Sequence, residues 1–305
     1  MRYLRQGASC AALLLALAEL MEFARAEDAV PPGSLQPAIV FIRQRDWKRA
    51  GQALDRAMEQ SPENLQALYW KSYVLFQTGN YQASSAFASR YLERNPASGE
   101  ARKILGLDYF MLGRSALAEA ELLQAGNLSP ADSDVRYYLG RIQFERHNLP
   151  AALQSFQSAI ALDPKSVRGF NHLGQTYEGL ARFEDAGAAY RKAIELDRQQ
   201  TKRSEWPYFN LGVLSLKEGR AEDAANWLRE ALERRPSWSE ATVQLAAALG
   251  SANQFKEARQ LLDDLLTADP KNAQAHYQLA RLLVRMQFPD EARRHFLRFA
   301  ELKQP

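Results

Sequence analysis

The sequence predicts an all-α chain, a solenoid of stacked helix–turn–helix units. Three observations carry that expectation. The first is a recurring spacing: within residues 136–164, Leu139-Gly140 is followed by Ala152, Phe156, Ala159 and Pro164. The same order returns thirty-four residues later as Leu173-Gly174, Ala186, Tyr190 and Ala193, and one period earlier as Leu105-Gly106, Ala118, Leu122, Ala125 and Pro130. A period in this range marks units that must stack to bury their apolar faces. The second is proline punctuation at Pro62, Pro96, Pro130, Pro164, Pro236 and Pro270, where a helix must stop for want of a donor. The third is a short turn between the two helices of a unit, as in Thr78-Gly79-Asn80, Leu112-Gly113-Arg114 and Glu218-Gly219-Arg220.

Taken in order, residues 1–26 differ from the rest. Arg2 and Arg5 precede the apolar run Ala8–Leu17, and Ala24-Arg25-Ala26 supplies small residues at a cleavage site. That is the pattern of a secretory signal peptide, and it predicts an exported chain, periplasmic or secreted. The apolar run is short for a bilayer, so membrane contact is expected only through this segment, in transit or uncleaved. Cleavage would remove Cys10, the only cysteine, and with it any disulfide or thiolate chemistry.

From residue 27 on, one repeat register predicts the units 31–64, 65–98, 99–132, 133–166, 167–200, 205–238, 239–272 and 273–305. Gly106, Gly140, Gly174 and Gly212 keep one face of the first helix small, and Ala118, Ala152, Ala186 and Ala224 answer from the second. Small residues on both sides predict a close helix pair. Phe156, Tyr190 and Leu228 are then expected to fill the space between neighbouring units. Between Asp197 and Tyr208 the closing proline is missing and Thr201–Ser204 are extra. Four residues make about one helical turn, which predicts a lengthened helix followed by Ser204 as an N-cap. A loop insertion is the other solution the sequence permits.

This constellation of Leu-Gly, Ala, aromatic, Ala and Pro resembles the tetratricopeptide repeat family over nearly the whole chain after residue 26. The resemblance implies a right-handed superhelix of about eight repeats whose first helices line a concave, peptide-binding groove. Lys71, Tyr91 and Phe299 depart from the pattern in the terminal units. In chaperone-binding members a lysine and an asparagine one turn later grip a carboxylate. Here Leu107 follows Lys103, so that clamp is not implied.

Catalytic patterns are missing from the sequence. His147, His172, His276 and His295 stand singly, glycines are dispersed, and no metal-ligand or cofactor motif occurs, so neither enzyme activity nor a cofactor is expected. The balance of 39 basic against 36 acidic residues gives a net +3, without the basic excess that nucleic acid calls for. What remains is a binding surface. Placed on the family's groove, the candidate residues are Tyr69, Trp70, Tyr73, Tyr137, Arg141, Asn171, His172, Gln175, Asn210, Gln244, Tyr277, Gln278 and Arg281. Aromatic rings toward the N-terminal end would anchor apolar side chains, and Asn171, His172, Asn210, Gln244 and Gln278 would hold a peptide main chain. The expected function is an exported scaffold that binds proteins or extended peptides. The alternative is a non-catalytic subunit of an envelope enzyme or secretion machine. An enzyme site assembled across repeats is the remote third reading. Leu297 and Ala300, on a second face of the last helix, suggest self-association through the C-terminus.

Overall fold

The computed structural model describes residues 34–201 and 203–303, so the expected signal peptide lies outside the described residues. Among those described there are sixteen helices and no strand, arranged as consecutive antiparallel pairs. They fall into two compact units that divide after Pro130. The first holds α1 (Gln36–Arg43), α2 (Trp47–Gln60), α3 (Leu65–Gln77), α4 (Tyr81–Arg94), α5 (Gly99–Met111) and α6 (Ser115–Leu128). The second begins with α7 (Ser133–Glu145), α8 (Leu149–Leu162), α9 (Val167–Gly179), α10 (Phe183–Asp197) and α11 (Trp206–Lys217). It continues with α12 (Ala221–Arg234), α13 (Ser239–Ser251), α14 (Phe255–Ala268), α15 (Ala273–Arg285) and α16 (Pro289–Lys303). Among the described residues no helix is long and apolar enough to cross a membrane.

Local chemistry sets the ends of these helices. Asn64, Ser98, Asp132, Ser166 and Asn272 each accept a hydrogen bond from a backbone N–H in the first turn of the helix that follows. Such caps satisfy donors that the helix itself leaves unpaired. Between the two helices of a pair one residue adopts the left-handed conformation: Arg45, Gly79, Gly113, His147, Ala181, Gly219, Asn253 and Gln287 in turn. That residue reverses the chain, and its N–H bonds back to the end of the preceding helix, as from Ala181 to the Glu178 carbonyl at 3.0 Å.

The glycine row packs differently from the expectation. A Cβ at Gly140 would stand 2.8 Å from the Phe156 ring, one at Gly106 2.7 Å from Leu122, and one at Gly212 2.7 Å from Leu228. The glycine therefore makes room for the large residue of its own pair, and that residue does not serve only the space between neighbours. Alanine on the second helix brings the backbones close, since the Ala118 carbonyl oxygen would lie 3.3 Å from the same Gly106 Cβ. In the second pair serine replaces both small residues, and the buried Ser84 hydroxyl donates to the Ser72 carbonyl at 2.9 Å. Lys71, in the leucine position, is 9% exposed and reaches Asp55 at 2.5 Å. Tyr91, in a small-residue position, packs on Tyr69 at 5.6 Å between ring centroids.

The extra residues do not lengthen a helix by a turn. α10 runs to Asp197, one residue longer than α8, and the chain then turns out of the helix. Ser204 is not an N-cap: α11 starts after Glu205 without a side-chain cap. The Ser204 N–H instead donates to Asp197 Oδ1 at 2.6 Å. Asp197 is fully buried and also accepts from the Tyr208 hydroxyl at 3.2 Å, with Arg234 Nε 3.7 Å away. A buried carboxylate that satisfies a loop N–H outcompetes one more helical turn, because its own charge needs those donors. Pro207 does sit in the first turn of α11, where its missing N–H costs nothing.

Candidate functional site

In the unit that starts at Ala131, the insertion and two first helices surround a cavity of about 770 Å³. Tyr137 enters from α7, and Arg168, Asn171, His172 and Gln175 from α9. Asp163 and Lys165 come from the turn before α9, while Arg203, Ser204, Glu205 and Trp206 come from the insertion and the start of α11. Residues at i, i+3, i+4 and i+7 share one face of a helix, which is why Arg168, Asn171, His172 and Gln175 meet there.

His172 is the best-defined member. Its Nδ1 lies 3.0 Å from the Arg168 carbonyl oxygen. A carbonyl only accepts, so Nδ1 carries the proton and donates, which leaves Nε2 as an acceptor. Burial, reinforced by the positive charges of Arg141 and Arg168, holds the imidazole pKa down to about 4, although the Arg168 carbonyl opposes the shift. The ring is neutral near pH 7. It packs edge-on against Tyr137 at 5.3 Å and tilted against Phe156 at 5.6 Å. Tyr137 is 6% exposed, and the Arg168 guanidinium covers its ring at 4.3 Å. Arg168 is also paired with Asp134.

Asn171 and Asn210 meet across the insertion. Asn210 Nδ2 donates to Asn171 Oδ1 at 2.9 Å, and both side chains are buried. One amide group of each is thus spent on the other, and Asn171 alone of the two lines the cavity. Arg141, beside His172, reaches Glu145 at 3.4 Å. On the rim Trp206 is 43% exposed and meets Trp238 edge-on at 4.8 Å. Trp238 occupies a helix N-cap position without a side-chain cap, so packing has displaced capping there.

The other expected groove residues separate into three settings. Gln244, Gln278 and Arg281 line a second cavity of about 320 Å³ between α13 and α15. Tyr277 packs on Phe296 and Phe299, with ring centroids 6.1 and 5.1 Å away. Tyr69, Trp70 and Tyr73, in the unit that ends at Pro130, form one edge-to-face cluster with Trp47, and Tyr91 packs tilted on Tyr69. Those three rings are half-buried packing residues as much as a surface.

The sequence reading missed Arg203 and Trp206, whose signal was their place on or beside the insertion, and Lys165 and Arg168, which the repeat register carries into the site from the start of α9. It also missed Asp108 in α5, which is fully buried with both carboxylate oxygens unpartnered among the described residues. The repeat register places Asp108 level with Val74, Ile142 and Leu214, all buried. A charge at that position was legible. Among the described residues no group of three or more His, Cys, Asp or Glu is placed to hold a metal.

Four family profiles match the chain, each described as a tetratricopeptide or TPR repeat. They cover residues 36–99, 140–180, 167–200, and the overlapping pair 215–269 and 249–301. The chain is similar to the Protein CTR9 homolog of Arabidopsis thaliana, 23% identical over 286 residues, covering 80% of this chain and 26% of that protein. It is also similar to the peroxisomal targeting signal receptor of Eremothecium gossypii, 27% identical over 180 residues, covering 59% of this chain and 31% of the receptor. The chain thus spans about a quarter to a third of these relatives' length. Among solved structures it is similar to the APC/C hetero-tetramer Cut9-Hcn1, with a TM-score of 0.60, 15% identity, and coverage of 84% and 50%. At that identity the likeness establishes the fold alone.

Proposed function

Since this chain is built of tetratricopeptide repeats, we propose that it is an exported, non-catalytic scaffold that binds an extended segment of a partner protein. The observation that carries this reading is the cavity of about 770 Å³, which gathers Tyr137, Asn171, His172 and Gln175 from two first helices. Its chemistry suits a peptide main chain. His172 Nε2 accepts, and the Asn171 and Gln175 amides offer donors, so a strand's N–H and C=O groups both find partners. The exposed Trp206 ring adds apolar area where a side chain of the partner would rest. One relative carries the name of a targeting-signal receptor, in keeping with a binding role.

Export rests on the pattern of residues 1–26. The mass of the chain recovered from outside the cytoplasm tests it, and a mass that retains those residues would sink cleavage.

Gln175 is half-buried on the cavity wall, so Gln175→Trp fills the cavity and spares the helix-pair core. The variant should lose partner protein captured by crosslinking while its thermal midpoint stays within a degree or so of the parent. Undiminished capture would refute the site.

A further inference from the structure

The cavity's charge is not balanced, and the imbalance comes from the insertion. Among the described residues, five lining side chains carry a full charge: Lys165, Arg168 and Arg203 against Asp163 and Glu205. Of the two acids only Glu205 has a cationic partner, and Asp163 keeps its charge beside Lys165, so the lining carries one positive charge in excess. Asp163 Oδ1 accepts the Lys165 backbone N–H at 3.2 Å, and Glu205 lies 3.6 Å from Arg235. Arg168 has its carboxylate partner in Asp134. Lys165 and Arg203 have no carboxylate within ion-pair distance among the described residues, and no salt bridge of the second unit claims them.

The wall that carries Arg203 is built in place rather than hanging free. Asp197 fixes the next residue through the Ser204 N–H, and Tyr208 and Arg234 hold Asp197 in turn. The Arg234 guanidinium lies 3.6 Å over the Tyr208 ring, which stiffens the base of the loop. On the far side Trp206 is braced by Trp238, and Arg235 covers Trp238 at 5.2 Å. An anchored cation at the edge of a partly enclosed cavity acts with less screening than one on an open face.

We infer that the partner segment taken by this cavity is acidic: a peptide whose Asp or Glu side chains meet Lys165 and Arg203 while an apolar neighbour rests on Trp206. The inference rests on the peptide-binding reading above and specifies its ligand. His172, neutral and accepting, takes a main-chain N–H, so the acidic side chains point away from it toward the insertion wall. Regular repeats lack this wall, because it exists only where the register is broken.

The test is selection of random linear peptides on the full chain, followed by fluorescence anisotropy of the peptides recovered. The expected result is enrichment of Asp and Glu beside an apolar residue, with affinity that falls as salt rises. Lys165→Ala and Arg203→Ala should each weaken those peptides by about tenfold, the scale of a charge-assisted hydrogen bond. Arg203→Glu should shift selection toward basic peptides. Circular dichroism of the three variants, all at exposed positions, should be unchanged. Selection of neutral peptides that Gln175→Trp abolishes but the charge variants leave intact would overturn the acidic assignment and keep the groove. Recovery of no peptide would overturn both.

Discussion

The two compact units use one repeat but place their irregularities in opposite locations. Before Pro130 the departures are inside: Lys71 against Asp55, Ser84 on the Ser72 carbonyl, and the unpartnered Asp108. After Ala131 the departures open onto a surface, where the insertion, held by the buried Asp197, walls a cavity and Trp238, packed on Trp206, stands in place of a helix cap. A packed irregularity alters how firmly helices hold together, whereas one at the surface alters what they can bind. The contrast lies in where each residue falls in the repeat register, since residue types are shared between the two units.

The largest expected effect tests the interior side of that contrast. Burial pushes the Asp108 carboxyl from its ordinary 3.8 up to about 7, while the Ser84 hydroxyl that would oppose the shift is given to the Ser72 carbonyl. The folded state therefore holds this proton more tightly than the unfolded state. Stability from the protonated acid is full below pH 4 and is lost as pH rises toward 7. Asp108→Asn removes the titration, and at pH 8 it should stabilise the chain by roughly 4 kcal/mol, with little difference at pH 4. Denaturant unfolding at the two pH values measures this, and an equal effect at both would show that the carboxyl is not the cause.

The second test asks whether a buried charge in the other unit behaves the same way. Asp197 is as deeply buried as Asp108, but it has the Ser204 N–H, the Tyr208 hydroxyl and Arg234 around it. Removing it takes the acceptor from the Ser204 N–H and the Tyr208 hydroxyl and leaves Arg234, whose side chain is 9% exposed, with Glu230 as its one carboxylate, 3.6 Å away. Asp197→Ala should therefore destabilise by about 3 kcal/mol, the opposite sign to Asp108→Asn. It should also weaken captured peptide, because the insertion wall loses its tether. A destabilised variant that binds peptide undiminished would separate the lock from the site.

How much of this was legible beforehand follows the same division. The helix pairs, their turns and the glycine positions could be read because each depends on neighbours within one period. Asn171 with Asn210 could not, since that pair spans 39 residues and forms only after the insertion closes. The same holds for Ser204, which a local rule makes a cap and which Asp197 claims instead. From the sequence Phe156 reads as a filler of the space between neighbours, because its size is visible there and its direction is not. Asp108 is the instructive omission: the register alone placed a carboxylate among Val74, Ile142 and Leu214.

The smallest effect concerns the turn, where Gly113 in the first unit and Ala181 in the second solve one problem with different residues. Gly113 reverses the chain at φ +71 with nothing within 4 Å of an added Cβ, and Ala181 does the same job at φ 57. An L-residue pays a backbone cost in that conformation, whereas glycine pays it as lost freedom in the unfolded chain. The first term is the larger, so Ala181→Gly should stabilise by about 0.5–1 kcal/mol and Gly113→Ala should destabilise by a similar amount. Both positions are exposed, so packing contributes little to either change. Equal and opposite shifts in the denaturation midpoint would place the whole effect in the backbone. A loss of stability in Ala181→Gly would mean that the Ala181 methyl makes a contact worth more than its strain.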